Sequence, residues 1–191
     1  MTAVPVAERM TAEQYLELPP SQDARRLELV DGELIVHFPT WLHSSAATDI
    51  QYGLEAWLRA TPGRGRTGQP LEVLMDEHNV YVPDVVWYRE ERVPARDDPR
   101  PYPVPDIAVE VRSPSTWRYD IGAKKAGYER FGLPELWLVD TAADVLLVFR
   151  RAAPTVSTFD IALELTRDDT LTSPLLPGFA LALAELFPPP E

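Results

Sequence analysis

Two carboxylates in separate apolar segments are the residues of this sequence best placed to bind a metal. Asp84 lies in Val82–Trp87 and Glu110 lies in Ile107–Val111, and both segments are short runs rich in β-branched residues, as expected of strands in a buried sheet. A buried carboxylate is costly unless a positive or hydrogen-bonding group compensates it. Two of them on neighbouring strands therefore predict a bound cation.

Distance along the chain decides which aspartate accompanies Glu110. Asp106 precedes Glu110 by four residues on the same predicted strand, so the two lie roughly 13 Å apart at about 3.3 Å per residue. That separation is too large for one ion. Asp84 is on another strand, and directly opposed residues of paired strands have Cβ atoms about 5 Å apart. We therefore expect Asp84 to act together with Glu110.

Lys124 is the third candidate because of its position on a predicted helix from Asp120 to Phe131. The 3.6-residue period places Lys124 on the apolar stripe of Ile121 and Tyr128, whereas Lys125 points about a hundred degrees away. One explanation for an inward lysine is that its aliphatic stem covers apolar surface while the ammonium reaches water. The alternative is a catalytic role beside the two carboxylates. On that hypothesis Lys124→Ala abolishes activity and leaves the fold intact.

Four motifs in this order resemble the PD-(D/E)XK nuclease superfamily. More narrowly, they resemble its bacterial branch that is labelled putative restriction endonuclease or domain of unknown function. The motifs are Pro83-Asp84, Glu110–Thr116, Asp120-x3-Lys124-x3-Tyr128 and Gly132–Asp140. The resemblance extends over most of the chain, from Leu27–Leu34 to Leu175–Phe179.

The resemblance implies an α/β fold with a restriction-endonuclease-like core, in which a central mixed β-sheet is flanked by helices. It also implies Mg²⁺-dependent hydrolysis of DNA phosphodiester bonds, with Mn²⁺ as a substitute. Asp84, Glu110 and the backbone carbonyl of Val111 would hold the ion, because magnesium is satisfied by few carboxylates and keeps several waters. Lys124 would orient or deprotonate the attacking water.

One position departs from the superfamily pattern. The lysine of that pattern stands two residues after the glutamate, where this chain has Arg112. Arginine is always charged and cannot act as a general base, although it can hold a phosphate oxygen. In this bacterial branch the lysine comes from the following helix, which matches Lys124. Arg112 is therefore a candidate for substrate binding.

Glu28 and His43 each have two interpretations. Strict alternation with Leu27 and Leu29 makes Glu28 an exposed strand residue, whereas the resemblance makes it a further acidic residue near the metal. His43 stands at the head of the predicted helix Ser44–Ala60. It could contact a phosphate, because helix N-termini attract anions, or it could only cap or pack that helix.

The net charge of −12 argues against tight nucleic-acid binding, which usually needs a basic face. Arginines do concentrate at 64–66, 89–100 and 112–130, and binding depends on the local field. We therefore expect weak, salt-sensitive DNA binding. Two alternatives to an endonuclease remain, namely a catalytically inactive nuclease-fold module that binds DNA or protein, and an acidic cluster that binds metal only for stability.

Composition excludes other classes of protein. There is no apolar stretch of membrane-spanning length and no signal-peptide pattern. The chain has no cysteine, which excludes thiolate metal sites and fits a reducing cytoplasm. The three histidines have no ligand spacing, which makes a zinc enzyme improbable. The apolar termini and the habit of the family favour a homodimer.

The remaining pattern predicts one domain over residues 1–191, with frayed Met1–Met10. A capping box at Thr11–Gln14 predicts a helix to about Leu18. Asp31-Gly32 predicts a type I′ hairpin between Arg26–Val30 and Glu33–His37. Further strands are predicted at Leu71–Met75, Val80–Trp87, Ile107–Val111, Leu136–Asp140, Val145–Arg150 and Phe159–Leu165. Arg89–Pro105 is a long loop that serves as a substrate flap or is disordered.

Overall fold

The structure is a computed structural model that describes residues 9–19 and 26–187. Its first element is helix α1 (Ala12–Leu16). The predicted capping box is present, because the Thr11 hydroxyl accepts from the Gln14 N–H at 3.2 Å and the Gln14 side chain accepts from the Thr11 N–H at 2.8 Å. Of the segment predicted to be frayed, residues 1–8 lie outside the described part of the chain.

The predicted hairpin follows as β1 (Arg26–Val30) and β2 (Glu33–His37). Asp31 and Gly32 connect the strands with φ angles of 50° and 77°. Both angles are positive, as a type I′ turn requires.

Helix α2 (Trp41–Ala60) is longer than predicted, because Thr40 and not a later residue caps it. The Thr40 hydroxyl accepts a hydrogen bond from the His43 N–H at 3.2 Å. His43 therefore lies within the first turn of the helix. Ile50, Leu54 and Trp57 form its buried face, as their helical spacing predicts.

The apolar stretch Val80–Trp87, which we predicted as one strand, is divided between two sheets. After β3 (Arg66–Gly68) and β4 (Val73–Asp76), the chain forms β5 (Asn79–Tyr81) and then β6 (Val85–Tyr88). Pro83 lies at the break, where a residue without an N–H cannot continue a ladder. Asp84 consequently stands at the start of β6.

The loop Arg89–Pro105 folds back onto the protein. Its one regular element is a single 3₁₀ turn at Glu90–Arg92. The backbone of Tyr102 makes two hydrogen bonds to the segment that contains β4. Its N–H donates to the Glu72 carbonyl at 2.7 Å, and its carbonyl accepts from the Leu74 N–H at 3.0 Å. These contacts argue against disorder in this loop.

The second half of the chain contains the predicted strand, helix and strand unit. The elements are β7 (Ile107–Val111), α3 (Trp117–Tyr119), a π turn at Asp120–Lys124, α4 (Lys125–Arg130), β8 (Glu135–Asp140), β9 (Val145–Arg150), β10 (Ile161–Thr166), β11 (Thr170–Leu171), β12 (Leu181–Ala182) and α5 (Leu183–Leu186).

A central sheet of six strands has the order β10-β9-β8-β7-β6-β3. β7 and β8 are parallel, and the other neighbours are antiparallel. A second sheet has the order β2-β1-β5-β4. The central strands are apolar along their length because both faces of the sheet are covered.

The two faces of the central sheet carry different cores. On one face, Ile107 and Val109 pack with α2 and the C-terminal segment. On the other face, Ala108 packs with Tyr81 and Tyr128. Because side chains alternate along a strand, Glu110 lies on the same face as Ala108. The acidic residue of β7 therefore points away from α2 toward the second core.

None of the helices in the described part of the chain has both the length and the apolar character needed to cross a bilayer.

Glu135 is a buried carboxyl group far along β8 from the acidic residue of β7. It accepts hydrogen bonds from the Trp137 indole at 2.7 Å and from the Ser173 hydroxyl at 2.8 Å. Burial nevertheless raises the pKa of Glu135 above its usual value. The charged form of this residue is therefore disfavoured in the folded protein.

We expect Glu135→Gln to gain stability relative to the wild-type chain as the pH rises. A carboxyl whose pKa is raised by folding contributes stability below its unfolded pKa of 4.5, and that contribution is lost as the pH rises through the folded pKa. Glutamine does not ionise, so the variant should become progressively more stable than the wild-type chain as the pH rises from 4.5 to neutral. Thermal unfolding followed across this pH range measures it, and parallel profiles for the two proteins would contradict the prediction.

Candidate active site

Asp84 directly precedes β6, and Glu110 lies on the neighbouring strand β7. Val85 pairs with Val109 in the antiparallel ladder of β6 and β7, and the Asp84 N–H donates to the Val109 carbonyl at 2.9 Å. Asp84 and Glu110 therefore lie at the same end of two paired strands. Both side chains are buried, with 3% of each residue exposed. The fold therefore places Asp84 and Glu110 on neighbouring strand ends, and their joint action on a metal stays a prediction.

Asp106 belongs to a different cluster. Its carboxylate accepts from Arg89 Nε at 2.7 Å, from Arg92 Nη1 at 2.8 Å and from the Arg89 N–H at 3.0 Å. Asp106 therefore fastens the long loop to β7, and the second Val-Pro-Asp sequence of the chain has a structural role.

Three groups hold the Asp84 carboxylate. Its Oδ2 atom accepts from the Val111 N–H at 2.8 Å and lies 3.1 Å from His43 Nε2. Its Oδ1 atom accepts from the guanidinium of Arg26. Burial alone would raise the pKa of Asp84, but the hydrogen bonds of His43 and Val111 and the charge of Arg26 outweigh it and lower the pKa. Asp84 is therefore an anion at neutral pH.

A π turn sets the phase of the lysine helix. The Lys125 N–H donates to the Asp120 carbonyl, five residues back, so the turn is wider than that of an α-helix. As a result Asp120, Lys124 and Tyr128 share the buried face, whereas Ile121, which we expected there, is 47% exposed. The prediction for Ile121 was wrong and the orientation predicted for Lys124 is observed.

The Lys124 ammonium lies among three carboxylates. Its Nζ atom is 2.7 Å from Glu28 Oε2, 2.8 Å from Glu110 Oε1 and 3.1 Å from Asp120 Oδ1. Burial alone would lower the pKa of Lys124, but the three carboxylates outweigh it and raise the pKa well above its usual value. Lys124 is therefore protonated, and its ammonium does not reach solvent.

The carboxylates around Lys124 are in turn destabilised by burial. Burial raises the pKa of Glu28 to about 7 and raises the pKa values of Glu110 and Asp120. The Tyr128 hydroxyl also donates to Glu110 Oε1 at 2.6 Å. Burial is the largest cause of each raised pKa, and it outweighs the opposing charge of Lys124.

Glu28 is buried, which contradicts the interpretation as an exposed strand residue. Leu27 and Leu29 do lie on the opposite face of β1, where they pack with Tyr15 of α1. The face that carries Glu28 is covered as well, because it is turned toward Lys124. Alternation along the strand was read correctly, but only the tertiary structure places a lysine against the second face.

Two histidines meet at Asp84 from different elements. His37 ends β2 and His43 lies in α2, and their rings are 4.7 Å apart. His37, His43 and Asp84 each offer a ligand atom, and these atoms lie within 4.8 Å of one another. Burial lowers the pKa of His37 to about 4, so this ring is neutral at neutral pH. The spacing argument against histidine ligands therefore missed a cluster that forms only on folding.

Arg112 lies outside the cluster. Its Nη1 atom binds both oxygens of Asp140 at 2.8 and 2.9 Å, and its guanidinium lies over the Trp117 ring. The neighbouring Val111 contributes its N–H to Asp84, as described above. Asp140 therefore engages the guanidinium of Arg112, and a role of Arg112 in substrate binding stays a prediction.

Sequence reasoning gave Arg26, His37, Asp120 and Tyr128 no role in this site, although Asp120 and Tyr128 belong to the motif Asp120-x3-Lys124-x3-Tyr128. Asp120 and Tyr128 stand four residues before and after Lys124, so a search for polar residues on the lysine face of the helix could have found them. No local signal distinguishes Arg26 or His37 from other residues at strand ends.

Comparisons with known proteins identify the family and the fold of the chain. A family model with the description "Uma2: Putative restriction endonuclease" matches residues 12–184. The crystal structure of a putative nuclease of the group DUF820 from Anabaena variabilis superposes with a TM-score of 0.75 and 19% sequence identity, covering 93% of this chain and 97% of the other. At that identity the likeness establishes the fold, which confirms the predicted fold class. Among curated proteins, none matches this chain.

Proposed function

Because the chain belongs to the Uma2 family of putative restriction endonucleases, we propose that it is a nuclease that hydrolyses DNA phosphodiester bonds with the help of a divalent cation. The observation that carries the proposal is the position of the Lys124 ammonium, 2.8 Å from Glu110 on β7, at the end of the strand pair where Asp84 also lies. We further propose that residues 1–191 act as one domain and that two copies associate. Exposed apolar residues such as Phe38 and Trp41 support that association.

The charges of the site fit a divalent cation. The described residues place four buried carboxylates, Asp84, Glu110, Glu28 and Asp120, beside two cations of lysine or arginine type, Lys124 and Arg26. Two negative charges remain for another cation or for protons to compensate. Carboxylate oxygens are the ligands that Mg²⁺ prefers, and Mn²⁺ accepts them too.

Asp84, Glu110 and the Val111 carbonyl would hold the ion. Among the hydrogen bonds of the described residues, none engages Glu110 Oε2, so this oxygen can turn to a metal, whereas both oxygens of Asp84 already accept hydrogen bonds. A bound Mg²⁺ lowers the pKa of a coordinated water and neutralises charge on the scissile phosphate.

Lys124 serves as a fixed positive charge and not as a general base. Its raised pKa keeps it protonated, which argues against the deprotonating role that we considered from the sequence. The three N–H groups of this ammonium are directed at Glu28, Glu110 and Asp120, so it can donate to the attacking water or to a phosphate oxygen once one of these carboxylates turns to the metal. Such preorganised donors stabilise the charge that develops in the transition state.

His43 and the Val111 N–H are positioning groups for Asp84. His43 is fully buried and its Nε2 atom is already directed at Asp84, which does not support the contact with phosphate that we considered from the sequence. Because His43 and the Val111 N–H both contact Oδ2, they hold the carboxylate of Asp84 in one orientation. A ligand held in this way is preorganised for the metal.

Plasmid cleavage with two aspartate variants tests the proposal. Wild-type protein with Mg²⁺ or Mn²⁺ should nick supercoiled DNA, and EDTA should prevent it. Asp84→Asn should lower the rate about a thousandfold, because a metal ligand is lost. The matched control is Asp106→Asn, which removes the other buried aspartate of a Val-Pro-Asp sequence. It should unfold about 2 kcal/mol more easily but cleave at the wild-type rate per folded molecule.

The second candidate function is a nuclease-fold module that binds without cleaving. The burial of Asp84, Glu110 and Lys124, each at most 3% exposed, favours it because a scissile phosphate must reach these groups. Metal-dependent DNA binding without nicking by the wild-type chain would support this alternative. Equal nicking by the wild-type chain and Asp84→Asn would exclude Asp84 from catalysis.

A further inference from the structure

Arg26 is the most exposed of the groups that hold Asp84. His43 is fully buried and Val111 contributes a backbone N–H from within β7, so neither can leave without disturbing the fold. The Arg26 side chain is 25% exposed. Of the contacts to Asp84 that the structure describes, the ion pair with Arg26 is therefore the easiest to break.

The two oxygens of Asp84 differ in how they are engaged. Oδ2 already accepts from His43 and from the Val111 N–H, which leaves little room for a cation at that atom. Oδ1 is engaged by the Arg26 guanidinium. A cation that binds Asp84 at Oδ1 takes the place of this guanidinium, because two cations at one carboxylate oxygen repel each other.

An open cleft lies beside Arg26. It has a volume of about 440 Å³, and its lining includes Tyr15, Leu27, Arg100 and Tyr102. Glu72 also lines it, and this carboxylate neutralises Arg100 through contacts of 2.8 Å. A guanidinium that left Asp84 would thus enter a solvent-filled space with aromatic walls and without a second unpaired carboxylate among the described lining residues.

We propose that Arg26 exchanges with the divalent cation at Asp84, and that the released guanidinium binds a phosphate of the DNA strand in the cleft of Tyr15, Arg26 and Tyr102. This inference rests on the proposed function. The planar guanidinium matches the oxygens of a phosphate in a bidentate manner. Arg26 therefore links metal binding to substrate binding.

The exchange has a thermodynamic consequence. Without metal, the ion pair with Asp84 keeps Arg26 away from DNA, and Arg26 competes with the metal for Asp84. With metal, the guanidinium is available to a phosphate, so metal and DNA strengthen each other's binding by the same factor. Such coupling would increase the DNA affinity of this acidic chain, because the Arg26 guanidinium adds local positive charge when it separates from Asp84.

Metal titration tests the first half of the inference. In isothermal titration with Mn²⁺ and no DNA, Arg26→Ala should bind the ion roughly tenfold more tightly than the wild-type chain, because no ion pair has to be broken. Arg59→Ala is the matched control, because this substitution removes the same charge from the protein. Arg59 pairs with Glu55 on the exposed side of α2, away from Asp84. It should leave Mn²⁺ affinity unchanged. Equal or weaker Mn²⁺ binding by Arg26→Ala would overturn the exchange.

DNA binding tests the second half. In fluorescence anisotropy with a labelled duplex and saturating Ca²⁺, Arg26→Ala should bind roughly tenfold more weakly than the wild-type chain, and the two should bind alike in EDTA. Equal affinities in Ca²⁺ would overturn the role in phosphate binding. The opposite signs of the two effects separate this role from a structural one, because a misfolded variant would lose both affinities.

Arg26→Lys is a second variant that keeps the test valid if Arg26→Ala does not fold. It retains the charge but not the bidentate fork, so it should bind Mn²⁺ as the wild-type chain does and DNA more weakly. Should the wild-type chain bind no divalent cation at all, the proposed function fails. Should it bind Mn²⁺ while Arg26→Ala binds no more tightly, only the exchange fails.

Discussion

Glu110→Gln is expected to abolish cleavage and at the same time to stabilise the metal-free protein. Glutamine can still accept from the Tyr128 hydroxyl and the Lys124 ammonium, which now meet at Oε1. It cannot serve as an anionic ligand, so cleavage in Mg²⁺ should fall about a thousandfold. Removing one of the excess buried charges should raise the free energy of unfolding in EDTA by roughly 1 kcal/mol.

The sign of the stability effect follows from the pKa of Glu110. Burial raises this pKa well above 4.5, so the wild-type carboxyl contributes stability only below that pH and loses it as the pH rises through the folded pKa. The gain of the variant should therefore grow with pH. Chemical denaturation in EDTA measures the gain, and thermal shifts with Mg²⁺ should be seen for the wild-type chain only.

The exposed Glu164 of β10 supplies the matched control. Glu164→Gln changes the net charge equally and should alter neither cleavage nor the response to Mg²⁺. Wild-type cleavage by Glu110→Gln would remove Glu110 from the metal site. The cluster of His37, His43 and Asp84 would then be the alternative set of metal ligands.

Lys124→Met is expected to lose cleavage by about a thousandfold and also to destabilise the fold by about 3–5 kcal/mol. The methionine keeps the aliphatic part of the side chain but leaves Glu28, Glu110 and Asp120 without their shared ammonium. From the sequence we expected a lysine variant to keep its fold intact. The three buried carboxylates make that expectation untenable.

The pH dependence of the destabilisation provides a check. Without the ammonium the three carboxyl groups ionise less readily in the folded protein, and their contribution to stability is lost as the pH rises. The difference in unfolding free energy between the wild-type chain and Lys124→Met should therefore widen from pH 5 to pH 8. Urea denaturation at several pH values measures it.

The neighbouring lysine is the matched control. The Lys125 ammonium lies 4.5 Å from the centroid of the Phe149 ring, away from the carboxylates. Lys125→Met should therefore cost about 1 kcal/mol at most and leave cleavage unchanged. A Lys124→Met variant that is as stable as Lys125→Met would show that the carboxylates are compensated without Lys124. Wild-type cleavage by Lys124→Met would remove the lysine from the mechanism.

Burial of the proposed site connects stability with activity. Groups that bind metal and phosphate are costly to bury, and their raised pKa values report that cost. Removing the negative charge of Glu28, Glu110 or Asp120, whose pKa values are raised, should therefore stabilise the metal-free chain. Removing the charge of Asp84, whose pKa is lowered, or that of the Lys124 ammonium should destabilise it. Functional sites commonly combine lower stability with higher activity in this manner.

Local pattern was enough to predict much of the framework. The capping box at Thr11, the Asp31-Gly32 turn and the helical spacing of Ile50 and Leu54 each depend on residues close in the sequence. Strand geometry also sufficed to separate Asp106 from Glu110 and to place Asp84 and Glu110 on neighbouring strands, because the rise per residue and the spacing between strands are constant. Helical phase was enough to turn Lys124 inward.

Only the tertiary structure decided what surrounds these groups. The division of Val80–Trp87 at Pro83, the burial of Glu28 and the contacts of Arg26 and His37 with Asp84 and its neighbours all require separate elements to pack together. A repeating pattern records how each residue faces its own helix or strand, and it carries no information about the element that covers that face. Charge compensation depends on that covering element, so the chemical partners of the acidic residues appear only when the two sheets and the lysine helix meet.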